Sequence, residues 1–357
     1  MNICFCLPGI SHRPVGGVKI VFEYSNRLVE KGHNVSIVFN CKDTFKKYNL
    51  PNNFREYLCR YIVKRSPKWF ELNKKVKKIC AFGIDHNTIP DADIIVATAI
   101  TTAKDVYDLN QKKGKKAYLI QDFENWDNTD SDVYNTYQFN MHNIVISKWL
   151  KDIVDKKSDY PSTYIPNGID FSVFGIDTPI KERNPYSISM LYHKSEHKGS
   201  KYGIEVITEL KKQFPELKAN LFGVPQRPKD LPSWINYTRS ATQEQLRDIY
   251  NESSIFLCST VKEGFGLTGA ESMACGCALV STSYKGVLEY AEDGKNALLS
   301  TPKDTKSLVK QVKRLICDNN LRWKIANEGK ENITKLSWDN SVNAFERELE
   351  KVLNKNL

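Results

Sequence analysis

Short apolar runs alternate along this chain with longer stretches of helical periodicity. NICFCL (2–7), VSIVF (35–39), IIVA (94–97), AYLI (117–120) and IVI (144–146) are short, predominantly apolar runs. Such runs describe strands covered on both faces, and hence a parallel sheet. Between the first two, VKIVFEYSNRLVEK (18–31) repeats its apolar positions at helical spacing until Gly32 stops it. The alternation restarts in the second half with SISMLY (187–192), KANLF (218–222), IFL (255–257) and ALVS (278–281). Helices are predicted near 201–213, 243–251 and 268–275, then over 304–317 and 320–334. The most turn-rich stretch, YIPNGIDFSVFGIDTPIKERNP, carries Pro166, Asn167, Gly168, Pro179 and Pro185 and divides the halves. The pattern predicts an α/β chain of two doubly wound domains, 1–166 and 167–337, facing each other across a cleft. A final segment, SWDNSVNAFERELEKVLNK, reads as an amphipathic helix with Val342, Phe345, Leu349 and Val352 on one side.

Composition narrows the class. A chain of 357 residues with 41% hydrophobic and 26% charged residues has the size and balance of two folded domains. No apolar run approaches the roughly 18 residues of a membrane span. The opening MNICFCLPG lacks a cationic lead-in and reads as a buried strand rather than a secretory leader. The nine cysteines show no metal-ligand spacing. Cys4-x-Cys6 and Cys275-x-Cys277 are expected to be packed thiols of a reducing compartment, so a cytoplasmic location is expected. The net charge of +10 asks for an acidic partner. Much of the excess lies in residues 57–79, where Arg60, Lys64, Arg65, Lys68, Lys74, Lys75, Lys77 and Lys78 are interleaved with Tyr61, Ile62, Trp69 and Phe70. That mixture suits a helix or helix pair lying on anionic lipid at the inner face of a membrane; the alternative is a solvated basic face. No zinc-finger or RNA-binding signature accompanies it, so no nucleic-acid partner is expected.

The most informative chemistry lies in EGFGLTGAESMACGCALVST. Gly264 and Gly266 follow an apolar strand and lead into a helix, so the amides around Gly266, Leu267 and Thr268 would face an anion such as a diphosphate. Glu263 and Glu271 flank that spot. Carboxylates repel phosphate and so would accept hydrogen bonds from sugar hydroxyls instead. The alternative is a capping box, with Thr268 as N-cap and Glu271 satisfying helix-end amides. Three further constellations accompany it. Gly16 and Gly17, after Pro14, form a loop feeding a helix N-terminus, without a dinucleotide or P-loop fingerprint. LYHKSEHKGSKYGIEVI gathers His193, Lys194, His197 and Lys198 at one strand end, with Lys198 suited to neutralise a leaving diphosphate; the alternative is a solvated loop. AYLIQDFENWDN places Asp122 and Glu124 past another strand end, able to orient or deprotonate a hydroxyl or simply to cap a loop. The six histidines show no paired metal spacing, so no metal or other cofactor is expected.

Taken in order, the Gly-Gly loop, EKGHNV, IPNGID, the strand leading to Lys198-Gly199, EGFGLTGAESMACGCALVST and GVLEYAEDGKNALL resemble the retaining family 4 glycosyltransferases of the GT-B fold. The likeness runs from about residue 1 to about residue 340. It implies two Rossmann-like domains, a nucleoside-diphosphate sugar held mainly by the C-terminal one, no metal requirement, and a last helix (338–357) packing back on the N-terminal domain. By position it implies that Glu271 holds the ribose and Glu263 the donor sugar. Amides of Phe265 to Thr268 would hold sugar and phosphate, Lys198 would hold the diphosphate, and Gly16 and Gly17 would leave room for the phosphates and the acceptor. Two positions depart from the family pattern. Tyr192-His193 stands where Gly-Arg is common, which shifts a phosphate contact to His193 or Lys194, and Gln121-Asp122 stands where His-Asp is common. LYHKSEHKG and IQDFE are similar to bacterial polysaccharide enzymes, some rhamnosyltransferases among them. The expectation is a metal-independent, retaining transferase moving a hexosyl or deoxyhexosyl group to a glycan or lipid-linked saccharide, with Lys198, Glu263 and Asp122 in the chemistry. A sugar-nucleotide epimerase and a non-catalytic sugar-nucleotide binder are the alternatives.

Overall fold

Each apolar run becomes a parallel strand in the computed structural model, which describes residues 1–354. The chain divides into two units, Met1–Pro166 together with the chain from Ser341, and Asn167–Asn340.

The first unit runs β1 (Asn2–Leu7), α1 (Gly16–Glu30), β2 (Asn34–Asn40), α2 (Asn52–Arg65), β3 (Lys77–Ala81), β4 (Ile94–Ala97), α3 (Ile100–Tyr107), β5 (Lys115–Ile120), α4 (Asp130–Tyr137), β6 (His142–Val145), α5 (Lys148–Asp155) and β7 (Thr163–Tyr164). Among the described residues its sheet has the order β3-β2-β1-β4-β5-β6-β7, parallel throughout. Strand β1 lies between β2 and β4, and Ile3 to Leu7 are buried without a polar interruption. The sheet reverses its direction of growth between β1 and β4, the position where doubly wound sheets open to ligands.

The second unit runs β8 (Ser187–Leu191), α6 (Ser200–Gln213), β9 (Lys218–Gly223), β10 (Ile235–Arg239), α7 (Gln243–Asn251), β11 (Ile255–Cys258), α8 (Leu267–Ala274), β12 (Ala278–Thr282), β13 (Ala297–Ser300), α9 (Thr305–Cys317) and α10 (Asn319–Ile333). Its described strands are ordered β10-β9-β8-β11-β12-β13, again all parallel, with the reversal between β8 and β11. Ile188, Leu221, Leu257 and Val280 from the sheet and Leu308, Val312 and Ile325 from the helices share one apolar core.

The last helix, α11 (Trp338–Asn354), follows. The expected helix extended to 357; residues 355–357 lie outside the described residues. From Ser341 onward α11 packs into the first unit. Phe345 is fully buried, its ring 4.4 Å from Tyr24 and 6.1 Å from Phe5 between centroids. Glu346 meets His33 at 2.7 Å and Lys31 at 2.9 Å, and Glu348 meets His142 at 2.9 Å. Val342, Leu349 and Val352 complete the buried side.

The basic stretch 57–79 is not the helix or helix pair expected of it. Only its first part is helical, within α2, and Lys77 and Lys78 enter strand β3. Trp69 and Phe70 turn inward, with ring centroids 5.6 and 5.4 Å from Phe22. The Lys-rich composition of KKICA conceals a strand whose partner is β2. Cys4, Cys6, Cys275 and Cys277 are buried free thiols. Among the described residues no helix is long and apolar enough to cross a membrane.

Phe345→Ala removes the ring that joins α11 to β1 and α1. It is expected to lower unfolding stability by roughly 3–5 kcal/mol in urea titration. A loss under about 1 kcal/mol would show that the site collapses onto the gap and that α11 is held chiefly by its ion pairs.

Candidate functional site

Two loops leave the carboxyl ends of β8 and β11, the neighbours at which the second sheet reverses. After β8 the chain passes His193 and a short 3-10 turn over Glu196–Lys198, and Gly199 then caps α6 in the left-handed region, at φ 63°. After β11 it passes Ser259 to Gly266 before α8. The loops are tied through the backbone: the amides of Val261 and Lys262 donate to the His197 carbonyl at 2.7 and 3.1 Å. Ser259 Oγ donates to the Gly199 carbonyl at 2.9 Å. A Cβ on Gly199 would stand 1.9 Å from the Ser259 carbonyl oxygen, so only glycine permits the approach. The outcome is that Lys198 Nζ lies 2.5 Å from Glu263 Oε1, both side chains about one-fifth exposed.

His193 and His197 stand beside this pair, 6.4 Å apart between ring centroids. Burial, and then the Lys198 charge, pushes both imidazoles below the usual histidine value. His193 Nδ1 accepts from the Ser195 amide at 3.0 Å, and Ser200 Oγ accepts from the His193 amide at 2.8 Å. Of the two candidates for a phosphate contact after β8, His193 is half-buried in this cluster and Lys194 is exposed.

The start of α8 corrects one expectation. Its N-cap is Gly266 in the left-handed region, at φ 94°, so Thr268 lies inside the first turn and the Thr268–Glu271 capping box does not exist. The reason is tertiary. Tyr290 donates its hydroxyl to the Gly266 carbonyl at 2.7 Å, and a Cβ at this position would fall 1.9 Å from the Tyr284 hydroxyl. Phe265 is buried against the Tyr290 ring, 5.5 Å between centroids. The first-turn amides at Leu267 and Thr268 thus lie beside Gly264 and Gly266 at the positive end of the helix. Glu271 projects from the interior of the same helix and is buried, 4% exposed. It lies by Tyr250, whose hydroxyl is held well above the ordinary tyrosine value by burial and then by the Glu271 charge. The second unit therefore gathers His193, Lys198, Glu263, Gly264, Phe265, Gly266, Leu267, Thr268 and Glu271 on two loops and one helix.

The remaining predicted residues belong to the first unit, on the chain that follows the carboxyl ends of β1 and β5. Gly16 and Gly17 are the first two residues of α1 rather than a loop ahead of it. Gln121, at the end of β5, donates through Nε2 to the Gly17 carbonyl at 3.2 Å and lies 3.4 Å from the Thr98 carbonyl. Asp122 Oδ1 accepts from the Phe123 amide at 2.8 Å. Glu124 is committed to a helix end: its Oε2 accepts from the Ile100 amide at 2.9 Å, at the start of α3. Burial, with a further contribution from Asp122, raises its carboxyl to about 7. Ser259, Tyr284 and Tyr290, which set the geometry of the second unit's loops, carry no local sequence signal; they act only through the fold. Among the described residues no group of three or more His, Cys, Asp or Glu is arranged to hold a metal ion.

Residues 178–332 match the family model described as glycosyl transferases group 1. A curated relative, "Uncharacterized glycosyltransferase MJ1178" of Methanocaldococcus jannaschii, is 25% identical over 208 residues, which span 56% of this chain and 56% of that protein. The matched stretch is thus only about half the length of the relative. Among solved structures, the sucrose-phosphate synthase of Thermosynechococcus elongatus superposes with a TM-score of 0.76 at 16% identity, covering 99% of both chains. Anabaena HepE in complex with UDP and glucose superposes with a TM-score of 0.75 at 14% identity, covering 98% of this chain and 100% of that one. These likenesses establish the fold, two Rossmann-like α/β domains of the GT-B class.

Glu124 yields a pH prediction. A carboxyl raised from 4.5 to about 7 binds its proton more tightly in the folded state. Its stabilising contribution is complete below the unfolded value and is lost as pH rises through the folded one. Measured against Glu124→Gln, whose amide oxygen still accepts from Ile100, wild-type stability should fall between about pH 5 and about pH 7 and level off above. A difference that stays flat across that range would place the Glu124 carboxyl at an ordinary value.

Proposed function

Taking the glycosyl transferases group 1 domain over 178–332 as the premise, we propose that this chain transfers a sugar from a nucleoside-diphosphate sugar to a hydroxyl of a glycan or lipid-linked saccharide. The observation that carries the reading is the Lys198–Glu263 pair at the β8/β11 reversal, set beside the start of α8 with Glu271 in the same helix. A cation, a helix N-terminus and two carboxylates within one unit match a ligand that is anionic in the middle and hydroxylated at both ends. The UDP and glucose held by HepE, which shares the fold, are of that chemical class.

In this reading the diphosphate lies against the amides at Gly264 to Thr268, with Lys198 and His193 supplying positive charge. Glu271 accepts from the ribose hydroxyls and Glu263 from those of the sugar. The bond from the anomeric carbon to the phosphate oxygen breaks as the acceptor hydroxyl adds from the same face, so configuration is retained. The departing phosphate takes the acceptor proton. The protein contributes position and charge stabilisation rather than a nucleophile. Lys198 gives the leaving diphosphate its counter-charge, which makes a divalent cation unnecessary. The acceptor is assigned to the first unit, where Gly16, Gly17, Gln121 and Asp122 line the carboxyl edge of the sheet. The setting is cytoplasmic synthesis of a cell-surface polysaccharide or glycoconjugate, with a hexose or a deoxyhexose such as rhamnose as the group moved.

Thermal-shift screening of the full chain against UDP, GDP and TDP and their sugars identifies the donor, and nucleotide release in the presence of an acceptor measures transfer. Glu271→Ala is expected to raise donor KM about tenfold or more, and Lys198→Ala to lower kcat by about a hundredfold. Activity should persist in EDTA. Wild-type kinetics in both variants, or conversion of the donor sugar without an acceptor, would overturn the assignment; a strict need for Mg²⁺ would overturn the role given to Lys198.

A further inference from the structure

Helix α2 meets the core along a narrow strip. Cys59 and Val63, one turn apart, are its buried residues. Phe54, Leu58, Tyr61 and Arg65 recur at i, i+4, i+7 and i+11 on the opposite side of the helix. This outer side is not the charged surface that an isolated solvent-facing helix presents. Phe54 is 50% exposed, Tyr57 64% and Tyr61 47%. Cations flank the rings. The Arg65 guanidinium lies 3.7 Å from the Tyr61 ring centroid, and Arg60 and Lys64 stand exposed alongside. The acid of the helix, Glu56, is already engaged by Arg60 at 2.5 Å. Just upstream, Lys46 to Tyr48 form a short turn with Lys47 over the Tyr48 ring, which is itself 59% exposed.

We propose that the outer face of α2 docks on an anionic lipid bilayer, its aromatic rings at headgroup depth and its cations on lipid phosphates. Tyrosine has one apolar face for the acyl boundary and one hydroxyl for water, and long basic side chains bury their stems while reaching outward. That pairing matches an interface between hydrocarbon and negative charge. A second copy of the chain would bring the same cations against one another, so charge opposes self-pairing through this face. A single-stranded nucleic acid calls for a groove that tracks its backbone, whereas the stripe lies on a convex helix that fits a plane. The inference stands apart from the sugar-transfer reading, because binding to lipid is measured without donor or acceptor.

The test is sedimentation of the full chain with phosphatidylcholine vesicles, with and without phosphatidylglycerol. Binding is expected only with the anionic lipid and should weaken as salt is raised. The Arg60→Gln/Lys64→Gln/Arg65→Gln variant should lose about a hundredfold in partitioning, at about fivefold per cation. Phe54→Ser/Tyr57→Ser/Tyr61→Ser should lose at least about tenfold. Both variants should melt with the wild type, since the altered side chains face outward. Equal binding to neutral vesicles, or unchanged binding in either variant, would overturn the proposal. So would a dimer in sedimentation velocity that only the serine variant dissolves, or tighter binding to a single-stranded oligonucleotide than to the anionic vesicles.

Discussion

The arrangement of the second unit depends on how closely two backbones approach. Gly199 brings the end of the β8 loop against Ser259 at a separation no side chain would permit, and the His197 carbonyl then gathers two amides from the β11 loop. These contacts leave little freedom in where Lys198 and Glu263 emerge. A lysine on an independent loop would sample many rotamers, and an ion pair between two such loops would contribute little. Here the main chain is ordered first, so the pair is pre-positioned and the entropy of bringing the charges together has already been met by backbone hydrogen bonds.

A second constraint acts from behind α8. Arg183 is buried and spends its guanidinium on the Thr178 carbonyl at 3.0 and 2.8 Å, Tyr250 at 3.2 Å, Ser253 at 3.2 Å, Cys275 at 2.6 Å and Asn251 Oδ1 at 3.0 Å. Burial lowers it from the usual arginine value, yet carbonyl oxygens occupy its donors in place of water. It thereby joins the ends of α7 and α8. Glu271 sits one turn before Cys275, and the neighbouring Tyr250 carries one of the carbonyls that Arg183 binds. The helix that carries that carboxylate is thus anchored at its C-terminal end by an arginine more than 80 residues earlier in the chain.

The central strands were legible because residues buried on both faces leave an apolar record, continuous over Ile3–Leu7 of β1, Ile94–Ala97 of β4 and Ala117–Ile120 of β5, and broken in β8 only by the small buried Ser187 and Ser189. Strand β3 was not, since its lysines disguise it, and β10 was hidden because its sequence INYTR lies at the sheet edge and is half-exposed. The Glu-x7-Glu block and Lys198-Gly199 could be read because chemistry and spacing are local there. The start of α8 could not. Thr268 and Glu271 have the composition of a capping box, and only Tyr284 and Tyr290, brought in from beyond the next strand, move the N-cap to Gly266. Likewise Trp69 and Phe70 resembled surface aromatics until Phe22 gave them a core. In both instances a residue distant in sequence overrode a sound local preference.

The electrostatics of the second unit point in one direction. Burial disfavours the charged forms of His193 and His197, and the Lys198 charge adds to the effect, so both imidazoles hold a proton less readily than an ordinary histidine. Glu263 absorbs the lysine charge itself. In the loops ahead of α6 and α8, Lys198 is thus paired with one carboxylate and flanked by two weakened bases. A diphosphate placed there would reverse each of those adjustments: it would compete with Glu263 for Lys198, release that carboxylate for a sugar hydroxyl, and favour protonation of His193. In the proposed reading the resting ion pair is therefore a counter-charge that the donor displaces, and the same displacement delivers Glu263 to the sugar.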